Sequence, residues 1–189
     1  DAERGLVIFD VTNPERPTHF DTIESPQARN IIVKDGYAYL ITAEEIELIR
    51  SYTIGESRKI TELRTGGLPY EILVQGSRAF VASRAGGVKV VDVSDPGSMR
   101  LTGEWTDDYS RLLVLEDGIL ATCGSEFRVH LLDAHSVIDG GSSARLSTIT
   151  LADTVTSLAF SGPLLAIGLE TSGVVIFDVT DSSLPVELG

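Results

Sequence analysis

The sequence predicts an all-β protein assembled from repeated four-stranded antiparallel sheets, and three observations predict it. One string is written three times: Gly5-Leu6-Val7-Ile8-Phe9-Asp10-Val11-Thr12-Asn13-Pro14, Gly87-Val88-Lys89-Val90-Val91-Asp92-Val93-Ser94-Asp95-Pro96, and Gly173-Val174-Val175-Ile176-Phe177-Asp178-Val179-Thr180-Asp181. Two weaker copies, Ile46 to Tyr52 and Phe127 to Asp133, lie between them. The copies therefore start roughly 40 to 46 residues apart, the spacing of a repeat architecture. Almost no stretch carries a helical apolar period. The regular pattern is short runs of Val, Ile, Leu, Tyr and Phe broken by Gly, Pro, Asp and Ser turns.

Each unit reads as four strands. In the unit around Ile46, the first strand is Asn30 to Val33, and Lys34-Asp35-Gly36 is a tight turn in which glycine accepts positive φ at little cost. Tyr37 to Ile41 is the second strand, a polar loop spans Thr42 to Glu45, and Ile46 to Tyr52 is the third. Lys59 to Arg64 alternates polar and apolar residues as a weaker fourth strand suited to an outer edge. The next unit repeats the order with Glu71 to Val74, Arg78 to Ala82, Val88 to Val93 and Leu101 to Trp105. A further unit offers Arg111 to Leu115, Ile119 to Thr122, Phe127 to Leu132 and Ser147 to Leu151. The last has Ser157 to Phe160, Leu164 to Gly168 and Val174 to Val179, with a fourth strand beginning only at Val186.

Four strands cannot bury both of their faces alone, so neighbouring units must stack face to face. Four-stranded units of about 40 to 45 residues fit the blades of a β-propeller around a central channel. A β-sandwich is the alternative, but it requires no sequence repeat. The chain divides into a half blade over 5–25 and blades over 26–66, 67–107, 108–153 and 154–189, about four and a half in all. The half blade supplies only a third and a fourth strand. This partition is expected of a piece of a larger propeller, or of one whose missing strands come from another chain, since a bare sheet edge is normally covered.

Bulk composition narrows the partners. The net charge of −13 over 189 residues, with no basic run, argues against nucleic acid, which is bound through clustered Lys and Arg. No apolar run approaches the roughly 18 residues of a membrane span. Cys123 is the single cysteine, so neither an internal disulfide nor a thiolate metal cluster is expected.

The strings Leu6-Val7-Ile8-Phe9-Asp10, Val88-Lys89-Val90-Val91-Asp92 and Val174-Val175-Ile176-Phe177-Asp178 resemble the LVIVD repeat. The Val-Thr-Asn-Pro and Val-Ser-Asp-Pro extensions fit it, as do the strands Tyr37 to Leu40 and Arg78 to Ala82 upstream. The resemblance implies a β-propeller of the kind usually found in secreted or cell-surface proteins of bacteria and archaea. The family shares no catalytic motif, so no active-site residue is carried over. The units at 46 and 127 lack the Asp-Pro turn, having Ser51-Tyr52 and Ala134-His135 near its place.

Candidate chemistry is sparse. The corners Asp10 to Asn13, Asp92 to Asp95 and Asp178 to Asp181 bring together oxygens that a hard cation could use, but short Asp and Asn side chains equally bond backbone N–H groups two residues on. The turn explanation is preferred, because no corner shows the alternating oxygens of a calcium loop. Aligning the first strands places Arg29, Asn30, Tyr70, Glu71, Arg111, Thr156 and Ser157 at the channel mouth as candidate ligand-binding residues. Arg29 and Arg111 could hold an anion bidentately, with Glu71 pairing one of them. A wet channel mouth also requires polar residues of its own.

His19, His130 and His135 have no metal-ligand spacing, His130 falling within a strand and His135 in a loop. There is no GxSxG elbow, and the pairs at Gly66, Gly86 and Gly140 read as turns. Cys123 is expected to be a small buried residue. Trp105, Tyr52, Tyr70 and Tyr109 could anchor a partner or pack between blades. The loop Asp139 to Ser143 is the expected mobile tip.

These readings lead to a non-catalytic scaffold or recognition module of a secreted or cell-surface protein, with no cofactor and a protein or surface component as partner. The alternative is a propeller enzyme working at the channel, lactonase-like or resembling quinone-dependent dehydrogenases, which rests on fold analogy alone. Homo-oligomerisation through the incomplete end blades is a third possibility.

Overall fold

A computed structural model describes residues 5–25, 27–50, 56–124, 127–140 and 143–189. The expectations at Ser51, Tyr52, Gly141 and Ser142 lie outside the described residues. The chain is built from sheets that follow one another in sequence. The first is a two-stranded ribbon, β1 (Leu6–Asp10) and β2 (Thr18–Ile23). Four four-stranded antiparallel sheets follow, each in strict sequence order. They contain β3 (Asn30–Lys34) to β6 (Arg58–Arg64), β7 (Glu71–Gln75) to β10 (Arg100–Trp105), β11 (Leu113–Glu116) to β14 (Arg145–Thr150), and β15 (Val155–Ser161) to β18 (Val186–Glu187). The first strands line up side by side, β3 against β7, β7 against β11 and β11 against β15. This is the arrangement of propeller blades around an axis.

Alternation inside the strands makes the stack. Ile41, Ile46 and Leu48 of one blade bury against Ile72, Ala79, Val81 and Val91 of the next. Phe80, Val88, Val90 and Trp105 meet Leu113, Leu120 and Leu132, while Ala121, Val129 and Leu131 meet Val155, Leu165, Ile167 and Phe177. Successive side chains point to opposite faces, so every blade feeds two of these layers.

A β-bulge recurs at one place in the fourth strand, where Phe20, Ile60, Thr102 and Leu146 are skipped in the pairing, just past the third-strand residues Ile8, Leu48, Val90 and Leu131. It gives the repeats a common structural register. The Asp corners are Asx turns. Asp10 Oδ1 accepts from the Thr12 N–H at 2.8 Å, Asp92 Oδ1 from the Ser94 N–H at 3.0 Å, and Asp178 Oδ1 from the Thr180 N–H at 2.8 Å. The second acid or amide of each corner does the same, as when Asp95 Oδ1 accepts from the Gly97 N–H at 3.0 Å.

One element departs from the sequence expectation. His135, expected in a loop, lies in a short helix α1 (Ala134–Ile138), capped by Asp133, whose side chain accepts from the Ser136 N–H. Ala134 and Val137 bury against Val88, Val90 and Trp105, which a period-two pattern would not reveal. The helix approaches β10 where Gly103 has no side chain, since a Cβ there would stand 2.3 Å from the Val137 carbonyl oxygen. Among the described residues no helix is long and apolar enough to cross a membrane.

Candidate functional site

The residues expected at the channel mouth fall on the inner strands or in the loops that enter them. Arg29 is exposed, and its backbone N–H donates to the Ile41 carbonyl at 2.8 Å. Asn30 opens β3, while Thr156 and Ser157 stand exposed on β15, three blades further on. Only Glu71 and Arg111 are brought into electrostatic reach of one another. Both reach across to the next blade. Glu71 Oε2 accepts from the Leu113 N–H at 2.7 Å, and the Arg111 guanidinium donates to the Val155 carbonyl. Burial raises the Glu71 carboxyl above its ordinary range, opposed by the Leu113 N–H and the Arg111 charge. In this arrangement the two side chains stitch inner strands together.

A second polar layer lies deeper, at one position of the repeat just before the bulge. It is Val7 in the half blade, then Glu47, Lys89 and His130, and Val175 in the last blade. The three ionisable residues are buried, and each finds a partner on the fourth strand of its own blade. Glu47 pairs with Lys59 at 3.3 Å, Lys89 with Glu104 at 2.6 Å, and His130 Nδ1 with Thr148 Oγ1 at 2.9 Å. Glu47 also accepts from Ser25 Oγ at 2.6 Å, and His130 Nε2 meets Asp108 Oδ2 at 3.0 Å, so both also reach into the joint before their blade. Sequence reading missed this layer, because a charged residue inside an apolar string looks like a worn repeat.

Burial holds the His130 imidazole below its ordinary pKa, against the opposing pull of Asp108. Burial pushes Asp108 up, but the Tyr109 N–H, His130 and Arg128 together hold its carboxyl below the usual range. The Trp105 ring lies 5.2 Å from His130, centroid to centroid, placing it between blades. Carboxylates of Glu45, Glu47 and Glu62 converge within 4.8 Å, yet Lys59 already sits among them, 2.5 Å from Glu62. Cys123 is buried, which raises its thiol and leaves it unreactive.

On the rim opposite the channel-mouth loops, two equivalent clefts open between a first turn and the Asp corner of the next blade. One, of about 350 Å³, is lined by Glu116, Asp117, Phe160, Pro163 and Thr180. The other, of about 320 Å³, is lined by Lys34, Asp35, Tyr37, Tyr39 and Ser94.

Comparison with known proteins matches this blade geometry. Residues 66–107, the strands β7 to β10 with their flanking loops, match the model of the LVIVD repeat. This blade is similar to the LVIVD repeat. The blade also carries the middle of the three strong strings, so the repeat and the sheet coincide. No curated protein sequence matches the chain. Among solved structures, a chain from a mitotic checkpoint complex superposes with a TM-score of 0.77 at 15% identity, over 100% of this chain and 60% of that one. The computationally designed Ika8 protein gives 0.71 at 11% identity, over 93% of this chain and 52% of Ika8. The designed Ika4 protein gives 0.64 at 12% identity, over 82% of this chain and 93% of Ika4. The chain thus spans about half the length of Ika8. At such identities the likeness concerns the fold, and the fold is a β-propeller.

Proposed function

We propose that the chain is a non-catalytic scaffold or recognition module of a secreted or cell-surface protein, and that it works by offering sheet faces to a protein partner. The observation that carries this reading is the pair of open end faces. Val174 and Ile176 are 63% and 38% exposed on the last blade, at the repeat positions where Val88 and Val90 are fully buried by the next blade. On the half blade Phe9 is 54% exposed, at the position of the fully buried Val91. Within the described residues, the two outermost sheets therefore present the two complementary halves of the same internal interface. A second copy, stacked head to tail, is the partner these faces fit, in a heterologous contact that forms a ring or a filament. The engagement of Glu71 and Arg111 in blade-to-blade bonds supports a structural role for the channel mouth. The LVIVD resemblance supports a surface or secreted location, which fractionation of the source cells checks.

Light scattering across a concentration series tests the stacking. Wild-type chain should associate, while Ile176→Asp and Phe9→Asp should each block it, because a buried unpaired carboxylate is costly. A mixture of the two variants should still form a one-to-one dimer through the faces left intact. A wild-type chain that stays monomeric throughout, or association indifferent to both substitutions, would refute the reading.

A further inference from the structure

The rim of the LVIVD blade differs from its counterparts in one respect. Among the described residues, four buried side-chain N or O atoms lack a hydrogen-bond partner: Thr65 Oγ1, Ser83 Oγ, Arg84 Nε and Trp105 Nε1. All four lie in or beside three loops that are tied to one another. The Leu68 N–H donates to the Ser83 carbonyl, the Tyr70 N–H to the Ala82 carbonyl, and Arg84 and Ser110 exchange both of their backbone bonds. Gly67 lets the first two loops close, since a Cβ there would meet the Ser83 carbonyl at 2.7 Å.

Polar side chains on the same rim of the neighbouring blades are spent. Ser25 Oγ donates to Glu47 and Thr42 Oγ1 to the Glu45 carbonyl, while Ser110 and Thr122 bond each other at 2.6 Å. In the last blade Asp153 occupies both Thr171 and Ser172. Among the described residues, it is in this blade that a pair, Thr65 and Ser83, stays buried and unused.

Arg84 adds charge to this rim. It is half-buried and held over the Tyr70 ring, 4.8 Å from the centroid, yet it takes part in no ion pair among the described residues. The nearby acids are occupied elsewhere, Glu71 with the Leu113 N–H and Asp108 with His130 and Arg128. An unpaired half-buried guanidinium stands out in a chain of net charge −13. Each of the four orphaned atoms can donate, and none belongs to a group that only accepts. A site composed of donors is complementary to a ligand that only accepts.

We propose that this rim, built by Thr65, Ser83 and Arg84 over the Tyr70 platform, binds a small oxyanion, either phosphate or carboxylate. The planar guanidinium fork matches both geometries bidentately, and the buried hydroxyls supply further donors at low dielectric. The site is independent of how the end faces assemble.

Backbone amide NMR of the full chain, titrated separately with inorganic phosphate and with acetate, tests this. At least one anion should produce saturable shifts confined to Gly66, Gly67, Ser83, Arg84 and Ser110, and the anion that does so identifies the source. Arg84→Ala should weaken binding by about tenfold or more, as loss of a charge-assisted bond does. Arg58→Ala, on the exposed fourth strand of the preceding blade, should leave it unchanged. If Arg84→Ala does not fold, Arg84→Lys replaces it, and loss of the fork should still weaken binding. Absence of saturable shifts with both anions at tens of millimolar, or equal binding by a folded Arg84 variant, would overturn the proposal.

Discussion

His130 links the stability of the blade stack to pH. The imidazole is fully buried, bonded to Thr148 on one nitrogen and Asp108 on the other, and packed on Trp105. Arg128 and Arg145 also act on it and, like burial, oppose its protonation. Its pKa in the folded chain therefore lies below the unfolded value of about 6.5. Between those two values the unfolded chain binds more protons than the folded one, so stability rises with pH there. The contribution is complete above about pH 6.5 and is lost as the pH falls toward the folded pKa.

One proton sets the ceiling at about 1.4 kcal/mol per pH unit. For a chain of this size that is roughly 3 to 5 °C of Tm per unit at the steepest point. Asp108, also held low, adds its own loss only further down, below about pH 3.9. The assay is thermal unfolding followed by circular dichroism between pH 5 and 7, for wild type and His130→Leu. The variant should lose about 1 to 2 kcal/mol at pH 7 through its missing hydrogen bonds, and its Tm should be nearly flat with pH. His19 and His135 are exposed and present in both proteins, so they control for general acidification. A variant that keeps the wild-type slope, or a wild-type Tm that climbs on acidification, would refute the assignment.

Three further outcomes follow from the same geometry. Lys89 is 9% exposed and its partner Glu104 51% exposed, so Glu104→Gln should cost about 3 kcal/mol, the low end for stranding a buried charge, whereas Lys89→Met should be close to neutral in urea unfolding. The reverse order would sink that account of the pair. Gly103→Ala should lower stability by about 1 to 3 kcal/mol, because the new methyl must displace the α1 backbone at Val137; an unchanged midpoint would show that the helix yields freely. Asp153 accepts from the Thr171 and Ser172 N–H groups at 2.9 and 2.8 Å, and these bonds, the Thr171 hydroxyl foremost, hold its carboxyl well below the usual range. Asp153→Ala should therefore speed amide exchange at both residues, an effect that protonating Asp153 in strong acid should reproduce; protection that survives the substitution would mean the loop is held by something else.

How far the sequence reveals this architecture depends on the range of the interactions involved. The turn at Asp35-Gly36, with positive φ at both residues, and the strands Tyr37–Ile41 and Arg78–Ala82 are written locally, in alternation and glycine placement. The Asx corners are equally local, since Asp10 and Asp92 each bond two residues ahead. The helix after Asp133 was not legible. Five residues give too little period to detect, and its burial depends on Gly103 and Trp105, far away in the chain.

The same argument explains why the polar layer between blades escaped notice. Lys59, Glu104 and Thr148 stand 12, 15 and 18 residues from the buried partners they satisfy. Each pairing crosses a strand junction whose register is shifted by a bulge, so sequence spacing alone points to the wrong neighbour. Before the register is known, Glu47, Lys89 and His130 look like decay of an apolar string. With it, they occupy one place in three successive blades, each with its own partner. A position that accepts an acid, a base and an imidazole in turn is not selected for one chemistry. What it requires is a polar atom able to reach the fourth strand, and where Val7 and Val175 stand instead, at the half blade and the last blade, the repeat leaves that bond out. The buried charges thus mark three successive joints of the stack, while the joint before the last blade is closed by Val175 among apolar side chains.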